Sequence, residues 1–114
     1  DLLQQAIGFA GGEANRVLVL SIPDWSVTPF AADQDRPQIA AEIDRFNRLN
    51  HEETGHLDAR YVDVTTVSRQ AATDGALIAG DGLHPSGKMY AAWVELVLPE
   101  AMAALGIEVP GLGN

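Results

Sequence analysis

The chain contains no cysteine, and its 7 lysine and arginine residues are outnumbered by 16 aspartate and glutamate residues. The absence of cysteine excludes disulfides and thiolate metal sites, and it is compatible with a reducing or an oxidising compartment. A net charge of −9 repels a phosphate backbone, so nucleic acid is not expected as a partner.

No hydrophobic run reaches the roughly 18 residues of a membrane span. Glu95 interrupts the longest candidate, residues 91–98, so we expect no membrane span.

Length and hydrophobic content are those of one globular domain. The chain has 114 residues, of which 46% are hydrophobic, and this is enough to build a core. Its first residues lack the basic region and the small-residue cleavage site of a signal peptide, and they do not include an initiator methionine. We interpret such a beginning as a cut inside a helix.

Hydrophobic spacing predicts alternating helices and strands in the first part of the chain. A continuous run of branched apolar residues is typical of a central parallel strand that helices cover on both faces, and the first strand has this character. A strand, a helix and a second strand in this order imply a right-handed βαβ unit. The predicted elements are a helix over residues 2–10, a strand over 16–22, a helix over 35–55 and a strand over 60–65.

The last predicted element is a helix that begins at Pro85 and ends near Gly106. Pro99 lies inside its apolar pattern, so we expect a kink or a fresh start at that residue. Residues 66–80 carry mixed signals and are predicted as loop.

The segment from Asp81 to Ser86, with the sequence DGLHPS, carries the strongest chemical signal in the chain. A serine hydroxyl becomes a good nucleophile only when an imidazole takes its proton, and the imidazole needs a carboxylate to fix its tautomer and stabilise its charge. Asp81 and His84 suit these two roles, and the glycines at 80 and 82 allow the sharp turn that brings acid and histidine together. Alternatively, Asp81 is a simple turn residue and His84 a neighbour of a helix N-cap.

The start of the last helix gives this spacing a local electrostatic reason. If Pro85 is the first helical residue, His84 borders the helix N-terminus, where the helix dipole disfavours an imidazolium. A carboxylate at Asp81 offsets that effect.

This segment resembles the DxxHP block that ends the SGNH (GDSL-type) esterases and lipases. The resemblance implies that residues 1–114 are the C-terminal segment of one hydrolase domain, the C-terminal portion of a flavodoxin-like doubly wound parallel sheet. It implies hydrolysis of a small-molecule ester or thioester by a Ser-His-Asp triad, in which Asp81 orients His84 and no metal or organic cofactor takes part. The GDS and GxND blocks of the family are not in this sequence, so we expect the nucleophile in a missing N-terminal half. The chain alone is then expected to be inactive.

Other candidate site residues are weaker. Trp25 follows the first predicted strand, and we predict that it contacts the acyl or alkyl group of a substrate, although it is equally suited to pin its loop to the core. Asp24 beside it is a second possible triad acid, but the resemblance favours Asp81. No serine lies in a nucleophile-like turn such as GxSxG. The serines are Ser21, Ser26, Ser68 and Ser86.

Two ligand-site patterns are disfavoured by their details. His51 and His56 flank the end of the predicted middle helix, but their spacing does not place both imidazoles on one face, so no zinc site is expected. Residues 82–88 have the spacing GxxxxGK of a phosphate-binding loop. Met89 replaces the hydroxyl residue that would hold magnesium, and Pro85 lacks a backbone N–H, so this reading is not favoured.

Two hypotheses of other classes remain open. The chain could be a noncatalytic α/β binding or interaction module that lacks the nucleophile half, and the coding sequence upstream of Asp1 would distinguish this from an enzyme. It could also associate with itself through exposed strand edges.

Overall fold

We describe residues 1–108 in a computed structural model of the chain. Within these residues the regular elements are helices and two short strands, joined in several places by single 3-10 turns. The helices are α1 (Leu2–Phe9), α2 (Arg36–His56), α3 (Thr65–Ser68) and α4 (Gly87–Ala104), and the strands are β1 (Leu18–Leu20) and β2 (Arg60–Val62).

The strands β1 and β2 form a parallel pair in which Val19 lies opposite Tyr61. The chain passes through α2 between them, since parallel strands need a long crossover connection. The predicted order of strand, helix and strand is confirmed. Both strands are shorter than predicted. β2 ends because the Asp63 carboxylate accepts hydrogen bonds from the backbone N–H groups of Thr65 and Thr66, at 2.8 and 3.1 Å, which turns the chain into α3.

The predicted flavodoxin-like doubly wound sheet is wrong. Of the described part of the chain, 62% is helical, and its sheet has two strands. We predicted β1 as a central strand covered on both faces, yet it pairs on one edge and Leu20 is 39% exposed. A continuous apolar run indicates a surface that favours burial, but it does not establish that neighbouring strands are present to bury it.

The two helices of the first half match their predictions closely. α1 is followed by Gly11 and Gly12, which adopt φ angles of +69° and +82°. α2 begins after Asp35, whose carboxylate accepts a hydrogen bond from the N–H of Gln38 at 3.1 Å. The glycines after α1 and Asp35 before α2 therefore predicted these two helix boundaries correctly.

The last helix begins later than predicted. α4 starts at Gly87, because Ser86 is its N-cap and accepts a hydrogen bond from the N–H of Met89 at 3.3 Å. The predicted start at Pro85 is therefore wrong. The helix continues through Pro99 to Ala104, so no fresh start occurs there. The segment 66–80, predicted as loop, contains the end of α3 and two further helical turns, at Arg69–Ala72 and Gly75–Leu77.

The buried core is small and lies where α4 packs on the turns that follow β2. Ala71, Leu77 and Met89 form its centre, and Met89 is 1% exposed. None of the residues of α1 is buried. This core supports the start of α4, and with it the segment that carries Asp81 and His84. Of the helices in residues 1–108, none has both the length and the apolar character needed to cross a membrane.

Candidate active site

Asp81 and His84 lie at the tip of a short hairpin that precedes α4. Ile78 and Pro85 pair as an isolated antiparallel bridge, and the N–H of Ala79 donates to the carbonyl oxygen of His84 at 2.8 Å. The chain reverses at Gly82, whose φ of +76° is accessible to glycine at little cost. The hairpin therefore returns His84 to the side of Asp81.

The Asp81 carboxylate binds the His84 imidazole directly. Oδ2 of Asp81 contacts Nδ1 of His84. Oδ1 accepts hydrogen bonds from the backbone N–H groups of Leu83 and His84, both at 2.9 Å. One carboxylate oxygen thus fixes the backbone of the turn while the other fixes the ring. The structure brings these two predicted site residues together.

Hydrogen bonding sets the charge state of the Asp81 carboxyl. The N–H of Leu83, followed by the imidazole and the N–H of His84, lowers the pKa of Asp81 to about 2. The carboxylate is therefore ionised at neutral pH, where it can only accept hydrogen bonds. Nδ1 of His84 must then be the donor, which leaves Nε2 of the neutral ring with a free lone pair. In this tautomer Nε2 can take a proton from a hydroxyl group.

His84 lies further from the N-terminus of α4 than predicted. Because α4 begins at Gly87 with Ser86 as its N-cap, His84 lies in the hairpin before the helix. The effect of the dipole is confined to the terminal turn. The expectation that His84 borders the helix N-terminus is therefore wrong.

The pair is accessible from outside. The side chains of His84 and Asp81 are 69% and 49% exposed. Asp81 also lies on the wall of an open cleft of about 730 Å³, together with Pro29, Arg36 and Ile78. A second molecule or another polypeptide segment can therefore reach the imidazole.

Trp25 lies near the hairpin, in a 3-10 turn that follows β1. It borders a small cavity of about 40 Å³ together with Leu83 and Pro85, the two chain neighbours of His84. Its ring centroid is 6.1 Å from that of Phe30. This position is compatible with a substrate contact and also with packing of the loop.

Asp24 is engaged elsewhere. Its Oδ2 accepts a hydrogen bond from Nε of Arg69 at 2.9 Å, and its Oδ1 accepts one from the N–H of Ser26 at 2.9 Å. Burial opposes ionisation of this carboxyl, but the hydrogen bonds from Ser26 and Arg69 prevail and lower its pKa. Asp24 therefore binds a guanidinium, whereas Asp81 binds the imidazole.

The serines of the chain have structural roles or are buried. Ser21 Oγ accepts hydrogen bonds from the N–H groups of Val64 and Thr65, at 2.8 and 3.0 Å. Ser68 and Ser86 donate to backbone carbonyl oxygens, at 2.6 and 2.7 Å. Ser26 is 3% exposed. None of these hydroxyl groups is presented to solvent as a nucleophile would be.

Residues that form metal or phosphate sites in other proteins have different contacts in this chain. No group of three or more potential metal ligands occurs within residues 1–108. His51 stacks on Tyr61 at a centroid distance of 4.1 Å, and His56 lies 3.8 Å from a Glu53 carboxylate oxygen. Nζ of Lys88 donates to Asp74 at 2.7 Å. These contacts account for the side chains without a ligand.

Sequence reasoning missed the polar contacts that hold the ends of the strands. Asn47 of α2 accepts a hydrogen bond from the N–H of Ile22 at 2.9 Å and donates one to Thr65 Oγ1 at 2.8 Å. Arg69 was missed in the same way. Polar side chains that are far apart in the chain and meet only after folding leave no spacing pattern that could have revealed them.

Comparisons with protein-family models, with curated proteins and with solved structures found no match to this chain.

Proposed function

We propose that this chain supplies the acid and the general base of an SGNH-type serine hydrolase that acts on small esters or thioesters. The observation that supports the proposal best is the contact between Oδ2 of Asp81 and Nδ1 of His84. The contact fixes the imidazole tautomer that catalysis needs, and the ring is open to solvent.

The chemistry follows from that tautomer. Nε2 of His84 takes the proton of a serine hydroxyl while the serine oxygen attacks the carbonyl carbon of the ester. The imidazolium then returns the proton to the leaving oxygen or sulfur, which departs as an alcohol or thiol. Water repeats both steps on the acyl-serine, releasing the acid and restoring the serine. Asp81 stabilises the positive ring in each half of the cycle.

The nucleophile comes from polypeptide outside this sequence, in the N-terminal half of the same hydrolase domain. Two observations support this part of the proposal. The serines of the chain are buried or have structural hydrogen bonds. The chain also has an apolar surface that needs a cover, next to the helix that follows His84.

That surface consists of a groove and a strand edge. The apolar groove has a volume of about 290 Å³, and it is lined by Leu20, Tyr90, Trp93, Val94, Val97, Leu98 and Ala101. Tyr90 belongs to the first turn of α4, close after His84 in the chain. A segment that covers the groove can therefore bring a serine close to the imidazole.

The free edge of β1 adjoins the groove. The N–H of Arg60 donates to Val17 and the N–H of Ser21 donates to Val62, so Val17 and Ser21 direct their backbone groups toward β2. Backbone direction alternates along a strand. The backbone groups of Leu18 and Leu20 therefore point away from β2 and have no partner within residues 1–108. Such an edge favours pairing with another segment.

Labelling of the longer gene product with a fluorophosphonate probe tests the proposal. The probe is expected to modify one serine outside this sequence, and His84→Ala is expected to abolish the labelling. His51→Ala is the matched control, because it removes another imidazole without touching the Asp81–His84 pair. Labelling that survives His84→Ala, or an upstream coding sequence with an unrelated domain, would favour the noncatalytic module.

A further inference from the structure

The loop after β1 is anchored to the rest of the protein by an ion pair. Nε of Arg69 donates to Oδ2 of Asp24 at 2.9 Å, and Nη2 of Arg69 donates to Asp44 on α2 at 2.7 Å. The Asp24 side chain is only 2% exposed, so this contact is shielded from competition with water. Arg69 thus ties the start of the loop both to α2 and to the turn after α3.

The other end of this loop touches the hairpin that carries Asp81 and His84. The N–H of Phe30 donates to the carbonyl oxygen of Gly82 at 3.0 Å. A β-carbon placed on Gly82 would lie 3.4 Å from Cβ of Pro29, so the loop packs directly against the hairpin tip. Gly82 stands between the catalytic pair in the chain. Any displacement of residues 29–30 is therefore transmitted to the tip.

Internal hydrogen bonds hold the shape of the loop. Arg36 donates to the carbonyl oxygen of Ser26 at 2.8 Å, and the Thr28 hydroxyl donates to that of Trp25 at 2.7 Å. The N–H of Ser26 is held by the Asp24 carboxylate. Residues 24–30 are thus braced between the anchor at Arg69 and the contact at Gly82.

The base of the hairpin is held by the core through Leu77 and Ser86, and its tip has internal hydrogen bonds of its own. The bond from the Gly82 N–H to Ala79 and that from the Ala79 N–H to His84 both lie within the hairpin. They help to hold Asp81 beside His84. The contact with Phe30 joins the tip to a different part of the protein.

We propose that Arg69 is a positioning residue: by holding Asp24 it fixes the loop of residues 24–31, and through Gly82 this loop orients the Asp81–His84 pair. The catalytic meaning of this link rests on the proposed function. The mechanical link itself rests on the contacts of Arg69, Asp24 and Gly82, and it can be tested in the chain alone.

Amide hydrogen exchange and backbone NMR resonances test the link in the Arg69→Met variant. We expect the Phe30 amide to exchange about tenfold faster or more, since its acceptor is no longer held in place. The resonances of Gly82 and His84 are expected to shift. Arg69→Lys, which keeps the charge but not the planar fork, is expected to restore part of the protection.

Arg60→Met is the matched control. Arg60 also forms an ion pair with a carboxylate, at 3.1 Å from Glu100, but it lies on β2 and does not touch the loop. We expect this variant to lose stability without faster exchange at Phe30. Equal acceleration in Arg60→Met, or a folded Arg69→Met with Phe30 exchange within twofold of wild type, would overturn the proposal.

Asp24→Asn keeps the proposal testable if Arg69→Met does not fold. In this variant the amide oxygen still accepts from the Ser26 N–H, but an NH2 donor replaces the carboxylate oxygen that Arg69 binds, so faster exchange at Phe30 is again expected. Unchanged exchange in folded Asp24→Asn would also count against the link. These readouts involve no serine. A failure of probe labelling would therefore contradict the proposed function without affecting this result. Unchanged Phe30 exchange together with normal labelling would contradict only the link between Arg69 and the hairpin.

Discussion

The hairpin around Asp81 and the outer face of α4 are adjacent in the chain but differ in their contacts. Polar groups of the hairpin have hydrogen-bond partners, whereas apolar side chains on the outer face of α4 are exposed to solvent. In the hairpin, a carboxylate, a glycine turn and several backbone hydrogen bonds fix one imidazole in one orientation. On the face of α4, Val94 and Leu98 are 58% and 45% exposed, and they line an open groove. The Asp81–His84 pair is thus held in a defined geometry within this chain, while the apolar surface beside it is exposed.

The largest effect should come from breaking the Asp81–His84 pair in the proposed complete hydrolase. Asp81→Asn removes the charge that fixes the tautomer of His84, and we expect kcat to fall by about 10⁴-fold. Ester turnover by the whole gene product measures this effect, with Asp74→Asn as the control for loss of a surface carboxylate. Full activity in Asp81→Asn would contradict the assignment. The chain alone is expected to show no turnover.

The second effect concerns the hairpin, and it tests the packing of the core that supports it. Met89 is 1% exposed, so Met89→Ala leaves a cavity and should lower the free energy of unfolding by about 2–5 kcal/mol. Val94→Ala, at a side chain that is 58% exposed, should change it by roughly 0.5 kcal/mol or less. Chemical denaturation measures both variants. Similar losses in the two would mean that the exposed face is as well packed as the core.

The third effect concerns the exposed apolar groove on α4. Leu98→Glu places a charge in the apolar groove and should weaken association with the N-terminal half by about 10- to 100-fold, since burial of a leucine contributes about 1.5–3 kcal/mol. Leu96→Glu is the matched control, because Leu96 is similarly exposed on α4 but does not line the groove. Titration calorimetry between the two halves measures the difference. Equal weakening by both variants would show that the groove is not the contact.

A smaller effect concerns the turn between Asp81 and His84. Gly82 has a φ of +76°, so Gly82→Ala should cost about 1 kcal/mol in the free energy of unfolding. Gly80→Ala is the control, since that position has open space around it and no positive φ. Thermal unfolding of the two variants measures the cost. A larger loss at Gly80 than at Gly82 would contradict the turn geometry.

The smallest effect is a pH dependence at the same carboxylate. The pKa of Asp81 is lowered in the folded state, so its contribution to stability is complete above its ordinary pKa and is lost as the pH falls toward about 2. Titration of the side-chain carboxyl carbon by NMR measures this pKa. His84→Asn removes the imidazole donor and should raise it, whereas His56→Asn should not. No change in His84→Asn would mean that the imidazole does not bind the carboxylate.

Local chemistry explains which features could be predicted from the sequence. Asp35 predicted the start of α2 because an N-cap acts within one helical turn, and Asp81 and His84 meet because their spacing is closed by a turn of the chain itself. The start of α4 was placed too early because both Pro85 and Ser86 suit a helix beginning, and only the hydrogen bond from Met89 decides between them.

Features that depend on other parts of the molecule could not be predicted in this way. The apolar run around β1 indicated burial, but no local signal states how many strands share the sheet, so the doubly wound arrangement was wrong. The ion pair of Arg69 with Asp24 joins residues that are distant in the chain, and neither residue type is unusual at its position. Such contacts are specified by the fold as a whole.

The tautomer of His84 tests the central claim most directly, because the proposed chemistry requires a free lone pair on Nε2. Nitrogen-15 NMR of the imidazole reports the protonation of each ring nitrogen separately. In the neutral ring we predict a protonated Nδ1 and an unprotonated Nε2, and we predict that Asp81→Asn abolishes this preference. A neutral ring protonated on Nε2, or a preference for Nδ1 that persists in Asp81→Asn, would contradict the account.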